Sequence, residues 1–353
     1  MSAVMKILRR IGGVKAPPAP ASGSAGQLAM WKAGVAAGDK RALYMHDGVN
    51  FVPIVDYATE TFPGVAAIAT QAEAYAGVDK EKIITPDTLS YYARRKLHAP
   101  LDLYVRKDGS DSNDGSANTP ANAFQTITRA VQETWQYDAR ANKVTINVGP
   151  GTYNEFVQLF RSSLDGGFWL VGDEANPSNV VVNCTNRNQA CFYASNPYKI
   201  NIRGFKLTST GSGVVAIQNY CNLVLANIEW GACSVAHFKT EAGAYTEFEM
   251  RHIISGSSPF HIRASNNAMV YHATSGAKAP HWSFVGSHAF SAFVDAQMGC
   301  IVQLDGVTFT GGNLVTGKRY QASSNGVISV GGAGPNFLPG NAAGTLATGG
   351  QYV

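Results

Sequence analysis

Short runs of alternating apolar residues follow one another from Val144 to Tyr153, from Phe168 to Gly172 and from Asn179 to Asn183, separated by Gly, Pro and Asn. Further on, apolar pairs recur: Ala216-Ile217 with Leu223 and Leu225, Phe238 with Phe248 and Met250, His261-Ile262 with Met269 and Tyr271, and Phe293-Val294 with Ile301 and Leu304. The aligned starts at 216, 237, 261 and 293 lie 21, 24 and 32 residues apart, as if one unit carried an insertion. Alternation at period two makes strands, and self-similarity every ~20 to 30 residues makes a solenoid, in which no unit buries its apolar face alone. The expected architecture is a mainly β chain built as a parallel β-helix.

Composition agrees. The 353 residues include 37 Gly but only 15% charged residues, against roughly 25% in an average soluble chain. A solenoid has apolar ladders inside, Gly and Asn at its turns, and uncharged polar faces. The net charge of +4 comes partly from Lys6, Arg9, Arg10 and Lys15 and partly from Arg94, Arg95 and Lys96. Neither cluster is interleaved with aromatics, so no nucleic-acid surface is expected. Cys184, Cys191, Cys221, Cys233 and Cys300 have neither disulfide-framework nor zinc spacing and read as small core residues in a reduced compartment. No apolar run spans a membrane, and no apolar segment follows Met1–Arg10, so neither membrane insertion nor a signal peptide is expected.

The chain divides by composition. Residues 1–28 are a basic segment and a Pro/Ala/Ser linker, Ala16 to Gly23, which can act as an anchoring arm. Residues 29–60 hold a hairpin around Asp47-Gly48, too small to be stable except where three copies share an axis. Residues 61–101 form a strand, Val65 to Ala69, then a helix with Thr70 and Glu73 as a capping box, and a second helix begun by Thr85-Pro86. Residues 102–315 are the β-helix, and 316–353 a Gly-rich end. Within the β-helix, Phe124, Ile127, Val131 and Trp135 make one apolar face of a helix from about 121 to 137, expected to plug the open N-terminal end.

Two stretches resemble bacteriophage tail proteins. The order Tyr104-Val105, Asp108-Gly109, Phe124-Gln125-Thr126-Ile127 and Val148-Gly149-Pro150-Gly151-Thr152-Tyr153 is similar to the opening of right-handed parallel β-helices of the pectin-lyase-like type, most of all those of phage tail fibres and tail spikes. Independently, Gly64 to Lys80, continuing through Ile84 to Leu89, resembles a short repeat of tail fibre proteins. The resemblance implies a homotrimeric virion tail fibre, made in the host cytoplasm, joined to the baseplate through residues 1–60 and binding bacterial surface polysaccharide through its β-helix. In that family the C-terminal end closes the trimer tip, which would make Tyr320, Phe337, Leu338 and Tyr352 intersubunit contacts. The other two expectations that remain open are a glycan-cleaving tail spike and a purely structural baseplate component.

Site residues follow from each. Glycosidic cleavage takes two carboxyls about 5 to 9.5 Å apart, and Glu247 and Glu249, at i and i+2, share one strand face, with Phe248 and Met250 expected on the core side. The same spacing suits any solvent-facing strand. Glycan binding takes aromatic faces among polar groups, and Trp282, His281, His288, Trp230 and Tyr245 are the candidates. Alternatively Trp282 and Phe284 belong to an extra core-facing strand, with His281 and Ser283 outward. The loop Asp108 to Gly115 lacks EF-hand ligands at 115 and 122 and reads as Asx turns. No metal and no cofactor are expected.

Overall fold

The computed structural model describes residues 28–32, 41–46, 51–53, 68–76 and 82–85, and residues 95–353 except 140, 161–166, 196–198 and 273–279. The anchoring arm apart from Leu28, the Asp47-Gly48 turn, residues 65–67 of the expected strand, the helix expected after Thr85 and residues 273–279 of the long 261–293 interval lie outside the described residues. The chain forms two compact units, Met1–Ala93 and Arg94–Val353.

In the first unit the strands Leu28–Lys32, Arg41–His46 and Phe51–Pro53 make an antiparallel sheet, with His46 opposite Phe51 across residues 47–50. A parallel bridge joins Ile68 to Ile83, and helix α1 (Gln71–Ala76) follows. The capping box forms as the sequence predicts. Thr70 N donates to Glu73 Oε2 at 3.0 Å, and Glu73 N donates to Thr70 Oγ1 at 3.3 Å. The Lys82 ammonium, and then Thr70, hold the Glu73 carboxyl down at about 2.

The second unit is a parallel β-solenoid with three ladders of strands. One ladder is an eight-stranded sheet: Val157–Leu159, Ala190–Ala194, Val215–Asn219, Ala236–Thr240, Phe260–Ala264, His288–Ala296, Val315–Ala322 and Thr345–Leu346. A second ladder, here called the long ladder, climbs from Leu101–Val105 through Asn222–Trp230 and Tyr245–Ile254 to Gln351–Tyr352. The third runs from Gly151–Tyr153 through Val180–Cys184 and Lys206–Ser209 to His281–Phe284 and Thr308–Thr310. Its middle rungs are the ends of the two long strands, Glu229-Trp230 and Arg251 to Ile254.

The pairing fulfils the sequence spacing. Val215 pairs with Ala236, Ala236 with Phe260 and Phe260 with Ala292, so the residues at 216, 237, 261 and 293 occupy one position on four successive rungs. Inside, Val157, Phe192, Ile217, Phe238, Ile262, Val294 and Tyr320 stack in one buried row, and Leu103, Ile146, Leu170, Ile202, Leu225 and Phe248 in another. All five cysteines are buried.

Two corners explain the Gly and Asn content. At one, consecutive residues take left-handed φ on five successive coils: Ala242-Gly243, Asn266-Asn267, Met298-Gly299, Ser324-Asn325 and Thr348-Gly349. Glycine and asparagine tolerate that geometry best. A Cβ on Gly349 would also run into Asn325 Oδ1 on the coil below. At the other corner, Gly204, Asn227 and Met250 have φ of 73°, 52° and 66°. This bend corrects one expectation. Met250 sits at the corner instead of in the core, alternation restarts after it, and His252 and Ile254 become the buried residues. Likewise Met269 and Tyr271 point outward and Val270 and His272 inward, since Phe248 pairs with His272.

The parallel pairing also does not stop at 315. Val327–Ser329, Thr345–Leu346 and Gln351–Tyr352 add rungs, their glycines supplying corners where a separate tip was expected. At the other end, helix α2 (Ile127–Thr134) buries Ile127, Ala130, Val131 and Thr134, with Phe124 bridged to Val105. It is shorter than the apolar stripe suggests, and Trp135 leaves it to stack on Phe160 at 6.0 Å. Asp111 fixes its start: Oδ1 accepts from the N–H groups of Gln125 and Thr126, both at 2.9 Å, and Oδ2 from Thr126 Oγ1 at 2.8 Å. Thr126 Oγ1 in turn caps Arg129 N at 3.1 Å. The Asp111→Ala variant is therefore expected to lose about 1 to 2 kcal/mol in denaturant unfolding, the usual cost of a lost helix cap.

Candidate functional site

Strand register sets what the outer face of the long ladder carries. Lys199 immediately precedes Ile200, which pairs with Leu223, so Lys199 leads a row continued by Asn222, Tyr245, Met269, Ile301 and Val327. A neighbouring row runs Thr145, Trp169, Asn201, Val224, Glu247 and Tyr271. Tyr245 and Met269 are 39% and 40% exposed, and the Tyr245 ring stacks on Tyr271 with centroids 5.1 Å apart. Glu247 lies in the row beside them, its carboxylate 3.8 Å from Lys199 Nζ. Burial, together with the charge of Glu247 and the neighbouring Tyr271, raises the Tyr245 phenol above its ordinary value. Trp169 is flanked by two cations, Lys143 Nζ at 4.1 Å and Arg203 Cζ at 4.7 Å from its ring.

Glu247 and Glu249 do not form a carboxylate pair open to a substrate. Glu249 is buried, with Oε2 2.6 Å from Arg203 Nη2, and Glu174 approaches the same guanidinium at 3.6 Å. Register places Glu249 in one row with Ala226 and Arg203, whereas Glu247 lies in the row of Val224 and Asn201 and stays at the surface. Glu229 is held by Lys206 at 2.7 Å and accepts from Ser255 Oγ, also at 2.7 Å.

Of the aromatic candidates, Tyr245 alone offers an exposed ring. Trp230 and Trp282 have no exposed surface, and Trp282 with Phe284 forms the core-facing side of an extra strand, leaving His281 and Ser283 outward. His281 is engaged with Thr308 Oγ1 at 2.7 Å and Thr310 Oγ1 at 3.2 Å. His288 is buried, its Nε2 2.8 Å from the Val285 carbonyl. Tyr320 and Leu338 are buried within the chain itself, Tyr320 under Tyr352 with centroids 3.9 Å apart. Phe337 packs edge-on against Phe309 at 5.5 Å. Within this chain Tyr320 and Leu338 belong to the buried core, and Phe337 and Tyr352 pack against it.

The outer face of the eight-stranded sheet was not gathered from the sequence. Tyr193, Gln218, Lys239, Arg263, Asp295 and Gln321 form one row on it. Tyr220 leans on Tyr193 at 5.5 Å and donates to Glu241 at 3.0 Å. Glu241 also takes Lys239 at 2.7 Å and Ser265 at 3.2 Å. Burial alone would raise the Glu241 carboxyl, but Lys239, Tyr220 and Ser265 hold it below its usual value. Asp295 is held by Arg263 at 3.1 Å and by Gln297 at 2.8 and 2.9 Å. Sequence separations of 21 to 32 residues hide such rows until the register is known. Among the described residues no cluster of metal-ligating side chains occurs, and no helix is long and apolar enough to cross a membrane.

The ladders define a class, the parallel β-solenoid. No protein-family model matches the chain, and no curated protein matches it in sequence. Among solved structures it is similar to Escherichia coli YbhC, at 14% identity and a TM-score of 0.43, covering 86% of this chain and 99% of that one. It is also similar to a pectin methylesterase from carrot, at 10% identity and a TM-score of 0.31, covering 73% and 89%. The fold therefore rests on the chain's own strand pairing.

Proposed function

We propose that this chain is a trimeric bacteriophage tail fibre that joins the baseplate through residues 1–60 and holds a bacterial surface polysaccharide on the outer face of its long ladder, without cleaving it. The observation that carries the binding role is the exposed Tyr245 ring, backed by Tyr271 and set among Lys199, Asn222 and Glu247 at fixed register. A sugar presents an apolar face for such a ring and hydroxyls for the flanking amide, ammonium and carboxylate. A rigid strand face supplies them without the ordering cost that a loop would incur. The engagement of Glu229, Glu241, Glu249 and Asp295 in ion pairs favours binding over turnover. The virion role rests on the two sequence resemblances.

The test is retention of the full chain on an array of bacterial surface polysaccharides, with Tyr245→Ala beside the unaltered protein. Loss of one stacking face is expected to weaken binding by about 1 to 2 kcal/mol, a factor of about 5 to 30. Equal retention of both proteins would remove Tyr245 from the site. For the virion role, antibody against the β-solenoid should label phage tails in electron microscopy, and unlabelled particles would count against it.

A further inference from the structure

Inside the middle coils the core is not aliphatic. His237 and His261 occupy the same position on adjacent rungs, with their Nδ1 atoms 2.9 Å apart. His252 Nδ1 accepts from Trp230 Nε1 at 3.4 Å. All three imidazoles have no exposed surface. They are enclosed by rings: His261 lies 4.8 Å from Phe293 and 4.9 Å from Trp282, His237 5.6 Å from Phe290, and His252 5.1 Å from Phe248. None of the three Nε2 atoms meets a hydrogen-bond partner among the described residues.

The charged groups on every strand packed around this cluster point away from it. On Asn222–Trp230, Glu229 is paired outward with Lys206. On Ala236–Thr240, Lys239 is paired with Glu241. On Tyr245–Ile254, Glu247 and Glu249 pair with Lys199 and Arg203, and Arg251 donates to the Ala175 carbonyl. On Phe260–Ala264 and His288–Ala296, Arg263 and Asp295 pair with each other. His281 faces outward to Thr308 and Thr310, while His288 faces the Val285 carbonyl, and its charge would act on His237. His272 and Asp305 meet at 3.8 Å on the next coil. No carboxylate among the described residues faces the three rings, so an imidazolium there would be an unpaired buried charge. Moreover, Nδ1 atoms 2.9 Å apart share one proton, with one ring donating and the other accepting.

We infer that the His237, His252 and His261 cluster makes the middle coils an acid-labile element: the rings are neutral in the folded solenoid, and they take up protons only when these coils open. Burial lowers His237 and His252 to about 3, and lowers His261 well below its ordinary value with help from the other two rings. An unfolded histidine titrates near 6.5. Because the folded values are depressed, the open state binds more protons, so stability is full above ~6.5 and falls as the pH drops toward ~3. Each ring shifts the opening equilibrium by up to about tenfold per pH unit across that window, and the three together by up to about a thousandfold.

The experiment is denaturant unfolding of the full chain between pH 7.5 and 5, above the range where most carboxylates protonate, comparing the unaltered protein with His252→Phe. The phenyl ring suits a pocket already lined by Phe248, Trp230 and Trp282. The variant is expected to lose up to about one of three powers of ten per pH unit from the pH dependence. Identical pH dependence in the two proteins would overturn the inference. Should His252→Phe not fold, ring nitrogen NMR of the unaltered protein decides. Three imidazoles still neutral at pH 5 are expected, whereas titration near 6.5 in the folded protein would refute the idea. Hydrogen exchange at pH 5 should show residues 230–294 losing protection ahead of residues 144–184, and uniform loss would count against it.

Discussion

Replacing Arg203 by Ala is expected to destabilise the solenoid by about 3 to 5 kcal/mol, the cost of leaving a buried charge without its partner. The charge is that of Glu249, whose side chain is 5% exposed and whose nearest cation is the Arg203 guanidinium at 2.6 Å. Arg203 also spans Glu174 and the face of Trp169, so its removal loosens three rungs. Denaturant unfolding of Arg203→Ala, Glu249→Gln and the double variant separates the contributions. The account expects the double variant to be more stable than Arg203→Ala alone, since it removes the stranded charge. If Arg203→Ala costs under ~1 kcal/mol, the pair is a surface pair of ordinary strength and the burial of Glu249 is wrong.

Trp282→Ala is expected to cost about as much, roughly 3 to 5 kcal/mol, through the cavity left by a large core side chain. Its ring lies 5.5 Å from Phe248, 4.9 Å from His261, 5.9 Å from Phe293 and 5.6 Å from Phe309, so neighbours on four strands lose contacts together. The adjacent His281→Ala is the control. Its half-buried ring is tied to two threonines, and the expected loss is near 1 kcal/mol. Thermal unfolding that showed equal losses for the two would place Trp282 outside the core.

Residues 216, 237, 261 and 293 were readable as equivalent because core-facing alternation is set locally, by strand geometry, and the stacking of coils only repeats it. Thr70 and Glu73 were readable for the same reason, since a capping box closes within four residues. What stayed hidden depends on corners. The left-handed residue Met250 interrupts the alternation of a long strand, and nothing in a methionine announces a positive φ. Glu249 was placed beside Glu247 as a catalytic partner, when the register sets it in line with Arg203, 46 residues earlier, which meets its charge. Trp230 and Trp282 show a second limit. An aromatic ring suits a glycan platform and a solenoid core equally well until the register shows which way it faces, and here it faces inward.

The Gly-rich end was legible as turns but not as further coils. Asn325 and Gly349 repeat the corner of Asn267 and Gly299, yet the strands between them are two or three residues long, too short to carry a readable alternation. The outer rows presented the hardest case. Lys239, Arg263 and Asp295 are separated by more than twenty residues at each step and meet only through parallel pairing.

The central claim is that the solenoid holds a surface polysaccharide on its Tyr245 face and leaves it intact. The measurement that tests it most directly is to incubate the full chain with a bacterial polysaccharide it retains, reading bound glycan and glycan chain length in the same sample. Retention weakened by Tyr245→Ala, with glycan chain length unchanged by the unaltered protein and by Glu247→Gln alike, is the predicted result. Shortening of the glycan that disappears in Glu247→Gln would contradict the account and make the chain a depolymerase.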